Sequence, residues 1–118
     1  MNNYQAGILG QQAAEDFLLR RGFQILDRNY RIKTGEIDLI AKDGDCITFI
    51  EVKYRSSLRY GYPSESVGYK KQRRVIEVAM QYLSRHGLED CDVRFDVTQV
   101  LLVSGKLYIS HIENAFTA

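Results

Sequence analysis

The chain has 118 residues, 45% hydrophobic and 26% charged, and its 16 basic and 15 acidic side chains give a formal net charge of +1. That length and balance fit a single globular domain over residues 1–118, and they exclude a disordered tail, a second independent core and a uniformly basic nucleic-acid binder. No apolar stretch approaches the roughly 18 residues of a membrane span, so no membrane partner is expected. Residues 1–5 show no basic segment leading into an apolar run, so no secretory signal is visible. Cys46 and Cys91 are the only cysteines, and with only His86 and His111 beside them they make no Cys/His zinc site. Two reduced, packed thiols are the expectation, in a cytoplasmic protein. Neither histidine has a Ser or Cys partner nearby, which argues against a nucleophile–histidine hydrolase. His86 precedes Gly87 where an imidazole suits a helix C-terminus.

Residues 5–21 read as a helix, with Leu9, Ala13, Phe17 and Leu18 at helical spacing and Gly22 as its stop. Gly7 and Gly10 weaken its first turns and suggest close backbone approach or fraying. Phe23, Ile25 and Tyr30 mark a strand, and Lys33-Thr34-Gly35 a turn. Residues 36–42 and 46–53 are two strands joined through Asp43-Gly44-Asp45, a β-hairpin signature. Residues 54–66, with the only proline, read as a loop. Residues 67–85 are a helix whose apolar face holds Val75, Val78, Ala79 and Tyr82 or Leu83. Strands over 93–103 and 106–112 follow, with Ser104-Gly105 between them. The order α-β-β-β-α-β-β predicts an α/β fold with a central mixed sheet flanked by helices. Its third and fourth strands should be parallel, with a right-handed crossover.

Charge inside apolar strands is the most informative feature. Glu36, Asp38, Glu51 and Lys53 interrupt runs of Ile, Leu, Ala, Phe and Val. Alternation puts Glu36 with Asp38, and Glu51 with Lys53. A two-residue Gly44-Asp45 turn sets Asp38 opposite Glu51; an Asp43-Gly44 turn sets Glu36 opposite Glu51. In either register the four charges share one face. Like charges directly opposite on a sheet are destabilising, so something cationic must offset them. One explanation is a divalent metal; oxygen-only ligands point to Mg²⁺ or Mn²⁺, which would polarise a phosphoryl oxygen while Lys53 supports the water or the phosphate. The other is a structural ion-pair network in which Lys53 and Arg55 neutralise the acids.

These residues carry a resemblance. Gly35-Glu36-Ile37-Asp38-Leu39-Ile40-Ala41, followed by Phe49-Ile50-Glu51-Val52-Lys53-Tyr54-Arg55, resembles the YraN family, small bacterial proteins with a restriction-endonuclease-like fold. More widely it is similar to the PD-(D/E)xK nucleases, including Holliday junction resolvases. The likeness covers nearly the whole chain. It implies a metal-dependent endonuclease acting on DNA, including branched or repair-associated DNA. Asp38 and Glu51 would hold the metal, with Lys53 catalytic and Glu36 an auxiliary acid. By analogy with junction-acting relatives it also implies a homodimer. One position departs from the family pattern: Gln11 stands where the first helix carries Glu, which leaves Gln11 as a polar supporting group with fewer acids in the site. Glu15, one helical turn on, would need a shift to compensate. Gln11 also motivates an alternative, a catalytically impaired nucleic-acid-binding module on the same fold.

Residues 53–74 hold Lys53, Arg55, Arg59, Lys70, Lys71, Arg73 and Arg74 against Glu65 alone, a net +6, which leaves −5 on the rest of the chain. Tyr54, Tyr60, Tyr62 and Tyr69 lie among them. Basic side chains contact phosphates and tyrosines stack on bases, so this segment reads as a DNA track, with Arg55, Arg59, Lys70, Lys71, Arg73 and Arg74 as binding residues. The alternative is a solvated loop with its tyrosines packed on the sheet. Asp96, flanked by Phe95 and Val97, reads as a structural acid that orients a basic residue or faces solvent.

Overall fold

The structure, a computed structural model, describes residues 3–55 and 68–118. Two helices and five strands make up these residues. They are α1 (Asn3–Arg20), β1 (Gln24–Ile32), β2 (Gly35–Asp43), β3 (Cys46–Arg55), α2 (Tyr69–Arg85), β4 (Asp92–Val103) and β5 (Lys106–Phe116). The strands form one mixed sheet in the order β1-β2-β3-β4-β5, antiparallel throughout except for the parallel β3–β4 pair that α2 connects. This is the α-β-β-β-α-β-β arrangement expected from the sequence, and it is consistent with a restriction-endonuclease-like fold. No helix among the described residues is long and apolar enough to cross a membrane.

Alternation along β3 builds the two faces. Ile47 and Phe49 join the core under α2, with Val75, Val78, Ala79, Tyr82 and Leu83 of that helix. Ile50 joins the core under α1, with Ala14, Leu18, Leu39, Ala41 and Val100. Under α2, Phe49 stacks on Phe95 (5.7 Å between ring centroids) and Phe95 on Phe116 (5.2 Å), an aromatic row across three strands. The apolar face of α2 is the expected one. On α1 the buried stripe is Gly10, Ala14 and Leu18, whereas Leu9 is exposed. His86 caps α2 as expected: its Nδ1 lies 2.9 Å from the Tyr82 carbonyl and its ring stacks on Tyr82.

Two strand ends differ from the sequence expectation. Tyr54 and Arg55, expected in a loop, continue β3, paired with Val100 and Leu101 of β4. The loop's remaining residues, with Arg59, Tyr60 and Tyr62, lie outside the described residues. At the chain end, β5 runs to Phe116. The polar stretch Glu113–Ala115 bulges opposite Asp96, and the Asn114 N–H donates to Asp96 Oδ1 (3.0 Å) before Phe116 pairs with Phe95. Polar residues without alternation hide such an extension.

Asp96 is fully buried on the α1 face. Arg94, Asn114 and His111 bind it, the last at 2.7 Å from Nε2, and His111 Nδ1 meets Thr98 Oγ1 at 2.8 Å. The acid is structural, and it orients Arg94, which also reaches Asp43 (3.0 Å). Thr98 and Asp96 are both fully buried, so this Thr–His–Asp alignment offers no accessible nucleophile.

Candidate functional site

The hairpin turn settles the register. Asp43 pairs with Cys46 across a two-residue Gly44-Asp45 turn, in which only Gly44 takes positive φ (61°), the pattern of a type II′ turn. The ladder runs to Leu39↔Ile50, and the same register sets Asp38 opposite Glu51. There the strands part. Instead of a backbone pairing, the Val52 N–H donates to Asp38 Oδ2 at 2.8 Å.

Strict alternation also breaks at Asp38. Ile37 and Ile40 both face the α2 core, while Leu39 and Ala41 face the α1 core. Opposite this break, Asn29 of β1 adopts φ 50°, a left-handed conformation that Asn tolerates better than most residues. Gln11 Nε2 donates to Asn29 Oδ1 (3.0 Å) and, at 3.4 Å, to the Asp38 carbonyl. Gln11 reaches this point because α1 lies against β3 at Gly10, where a Cβ would stand 2.8 Å from Tyr54 Cβ.

Glu51 is buried on the α2 face, and its Oε2 accepts from Lys71 Nζ at 3.0 Å. Burial, then Asp38, push the Glu51 carboxyl up to about 7 despite Lys71. Burial also raises Asp38, outweighing the Val52 N–H bond and the two lysines. Burial pulls Lys71 down, but the carboxylate of Glu51 more than offsets this and holds it above an ordinary lysine. Lys53 is depressed, first by burial and then by Lys71. The result is two desolvated carboxylates and two ammonium groups gathered between the ends of β2 and β3 and the start of α2.

The two carboxylates resist ionising side by side, and their donors are all oxygen. That chemistry suits a hard divalent cation held by Asp38 and Glu51. The set is small: among the described residues no group of three or more His, Cys, Asp or Glu side chains is gathered for a metal.

The other sequence-predicted residues divide. Glu36 does not join the cluster; it pairs with Arg31 (3.2 Å), and only its field reaches Asp38. The shared face expected for four charges therefore holds for Asp38, Glu51 and Lys53, because the break at Asp38 sets Glu36 apart. Glu15 is bound to Arg28 and does not replace the acid missing at Gln11. Lys71, expected on the DNA track, is committed to Glu51. Lys70, Arg73 and Arg74 are exposed on the first turns of α2, and Arg55 is half-buried at the end of β3. Tyr54 packs on the α1-side core and is not displayed as a stacking surface. Tyr69 is 74% exposed. Sequence reasoning missed Asn29, whose signal was a turn-favouring residue inside a strand. The Lys71–Glu51 pair had no signal, because only the docking of α2 creates it.

A family model described as uncharacterised protein family UPF0102 matches residues 10–100. The chain is similar to a UPF0102 protein of Clostridioides difficile (47% identical over 116 residues, covering 98% of this chain and 100% of that protein). It is also similar to UPF0102 proteins of Alkaliphilus oremlandii (49% over 116 residues, 97% and 99% covered) and Symbiobacterium thermophilum (47% over 115 residues, 97% and 98% covered).

Proposed function

The chain belongs to the uncharacterised protein family UPF0102, and from the site it carries we propose a divalent-metal-dependent endonuclease that hydrolyses DNA phosphodiester bonds, branched or repair-associated DNA included. The observation that carries this reading is the Asp38–Glu51 pair, two desolvated acids close enough for Asp38 to raise Glu51, beside Lys53. A fold gains nothing in stability from such a pair.

Asp38 and Glu51 would hold Mg²⁺ or Mn²⁺, which would supply electrophilic activation of the phosphoryl group. The Val52 N–H fixes Asp38 Oδ2, and Oδ1 would be the oxygen left for the cation. Lys53, with its proton already loosened by burial and by Lys71, positions the attacking water or neutralises charge on the phosphate. Gln11 holds the Asp38 backbone through its carbonyl, and Glu36 acts only through its field. Phosphates are contacted by Lys70, Arg73, Arg74 and Arg55, with Arg59 added from the sequence. They are also contacted by the first amides of α2, where Gly68 provides no side-chain cap.

The test is incubation with linear, flapped and four-way branched DNA in Mn²⁺, beside Asp38→Ala. Cleavage should fall by about a hundredfold or more in the variant, the scale of losing a principal electrostatic group; undiminished cleavage would remove Asp38 from the mechanism. A second reading, a binding module that has lost part of its site, is favoured by Gln11 at the position of a family Glu. It predicts binding without cleavage in every metal, and Gln11→Glu should then restore cutting by supplying a third acid next to Asp38.

A further inference from the structure

A groove of about 530 Å³ lies between the exposed side of α2 and the β1–β2 turn, on the far side of β2 from Glu51. Arg31, Lys33 and Arg85 line it with Thr34 and Gln81, against the single acid Glu77. Lys33, Thr34 and Arg85 are exposed, and among the described residues neither Lys33 nor Arg85 has a carboxylate within ion-pair distance. Two arginines lead from the groove toward the site. Arg31 is bonded to Glu36, two residues from Asp38. Arg74, one turn along α2 from Lys71, lies over Gly35 at the start of β2. Along α2 the positions of Lys70, Arg74, Gln81 and Arg85 recur at helical spacing, so they form one stripe. From Lys71 to Arg85 the helix rises by about 21 Å, which is about six base-pair steps of duplex DNA.

Resting on the nuclease reading, we propose that this groove seats the sugar–phosphate backbone of a DNA arm, so that the bound strand runs from Lys33 and Arg85 past Arg74 to the acid pair. The groove offers two cations with no ion pair among the described residues, Lys33 and Arg85, with a hydroxyl and an amide beside them. Phosphates repeat along a line, and such contacts position a strand without reading its bases. The interaction surface of the molecule therefore extends well beyond the basic run at residues 53–74. It includes a hairpin turn and a helix end that lie outside that run.

The experiment is a fluorescence polarisation titration of the full chain with end-labelled duplex DNA. No divalent metal is added, so cleavage cannot intrude, and affinity is read between about 50 and about 200 mM salt. The double variant Lys33→Ala, Arg85→Ala should bind about tenfold more weakly at the lower salt. The slope of log affinity against log salt should flatten by about 1.8, two phosphate contacts at about 0.9 each. Charge reversal at both positions should weaken binding further, and Lys106→Ala on the distant β4–β5 turn should leave both quantities unchanged. All these side chains are exposed, and matched circular dichroism checks that the variants fold. A wild type that binds, with variants equal to it in affinity and slope, overturns the groove while leaving the nuclease reading standing. A wild type with no affinity for DNA overturns both.

Discussion

Glu51 makes the molecule's stability depend on pH in an unusual direction. Its carboxyl is raised from 4.5 to about 7, chiefly by burial and then by Asp38. The folded protein thus holds that proton more tightly than the unfolded chain, and stability falls as pH rises from about 4.5 to about 7, then levels off. Asp38 is displaced the same way and adds to the trend. Glu51→Gln removes the charge while keeping the shape. It should raise stability by about 1–3 kcal/mol near pH 8 and give no gain below about pH 4.5. Unfolding scans at the two pH values check this, and a variant that tracks the wild type at both would sink the assignment. Asp96 works in the opposite sense. Burial pushes it up, but His111, Arg94 and the Asn114 N–H outweigh that and leave it lowered. Its contribution is therefore present above the ordinary Asp value of 3.8 and is lost as pH falls through the lower folded value.

At the scale of elements, the contact between α1 and β3 decides where Gln11 sits. A Cβ on Gly10 would stand 2.8 Å from Tyr54 Cβ, whereas one on Gly7 would meet nothing within 4 Å. Gly10→Ala should therefore destabilise by about 1–3 kcal/mol and lift Gln11 from Asn29. Gly7→Ala, in the same helix, should stabilise by about 0.5–1 kcal/mol. Denaturant midpoints of the two variants provide the check, and equal shifts would mean that the close approach does not constrain the helix. The sequence suggested close approach for both glycines because helix propensity treats them alike; only the docked strand separates them. Elsewhere the element order, the parallel β3–β4 pair and the α2 face were legible, because hydrophobic period and turn residues carry them locally. The Asp38–Glu51 opposition was legible up to a choice of two turns. The slip of faces at Asp38 was not, since it arises where Asn29 and Asp38 both leave regular geometry across a strand pair. The isolation of Glu36 follows from that slip.

The whole molecule keeps two polar centres on opposite faces of one sheet. Arg94 and Asp96 lie with His111 on the α1 face, and Glu51 lies with Lys71 on the α2 face. Asp96 pairs with Ile50, the chain neighbour of Glu51, so the two centres are separated by the face they project from and not by distance along the strands. Asp96→Ala would strand the half-enclosed Arg94 and the buried His111, and should cost about 3–5 kcal/mol in urea unfolding. If the proposed metal site holds, the affinity of the Asp38–Glu51 pair for Mn²⁺ should stay within a factor of about two, which isothermal titration reads, because the two centres project from opposite faces and share no ion-pair partner. A large loss of metal affinity would mean the two centres are coupled through the sheet.

The parallel pairing of β3 with β4 has a consequence for how the protein assembles. In β1–β2–β3, the pairing widest in sequence joins Gln24 to Lys42, whereas β4 meets β3 through Cys46 and Asp92. Short-range pairings close first because loop entropy rises with separation. The acid pair is therefore brought together with the early meander, and Lys71 reaches Glu51 only when the chain has crossed over and α2 has docked. The candidate site is completed late, by contacts that the early sheet does not need. Such an order lets side chains of the candidate site change while the folding route stays intact.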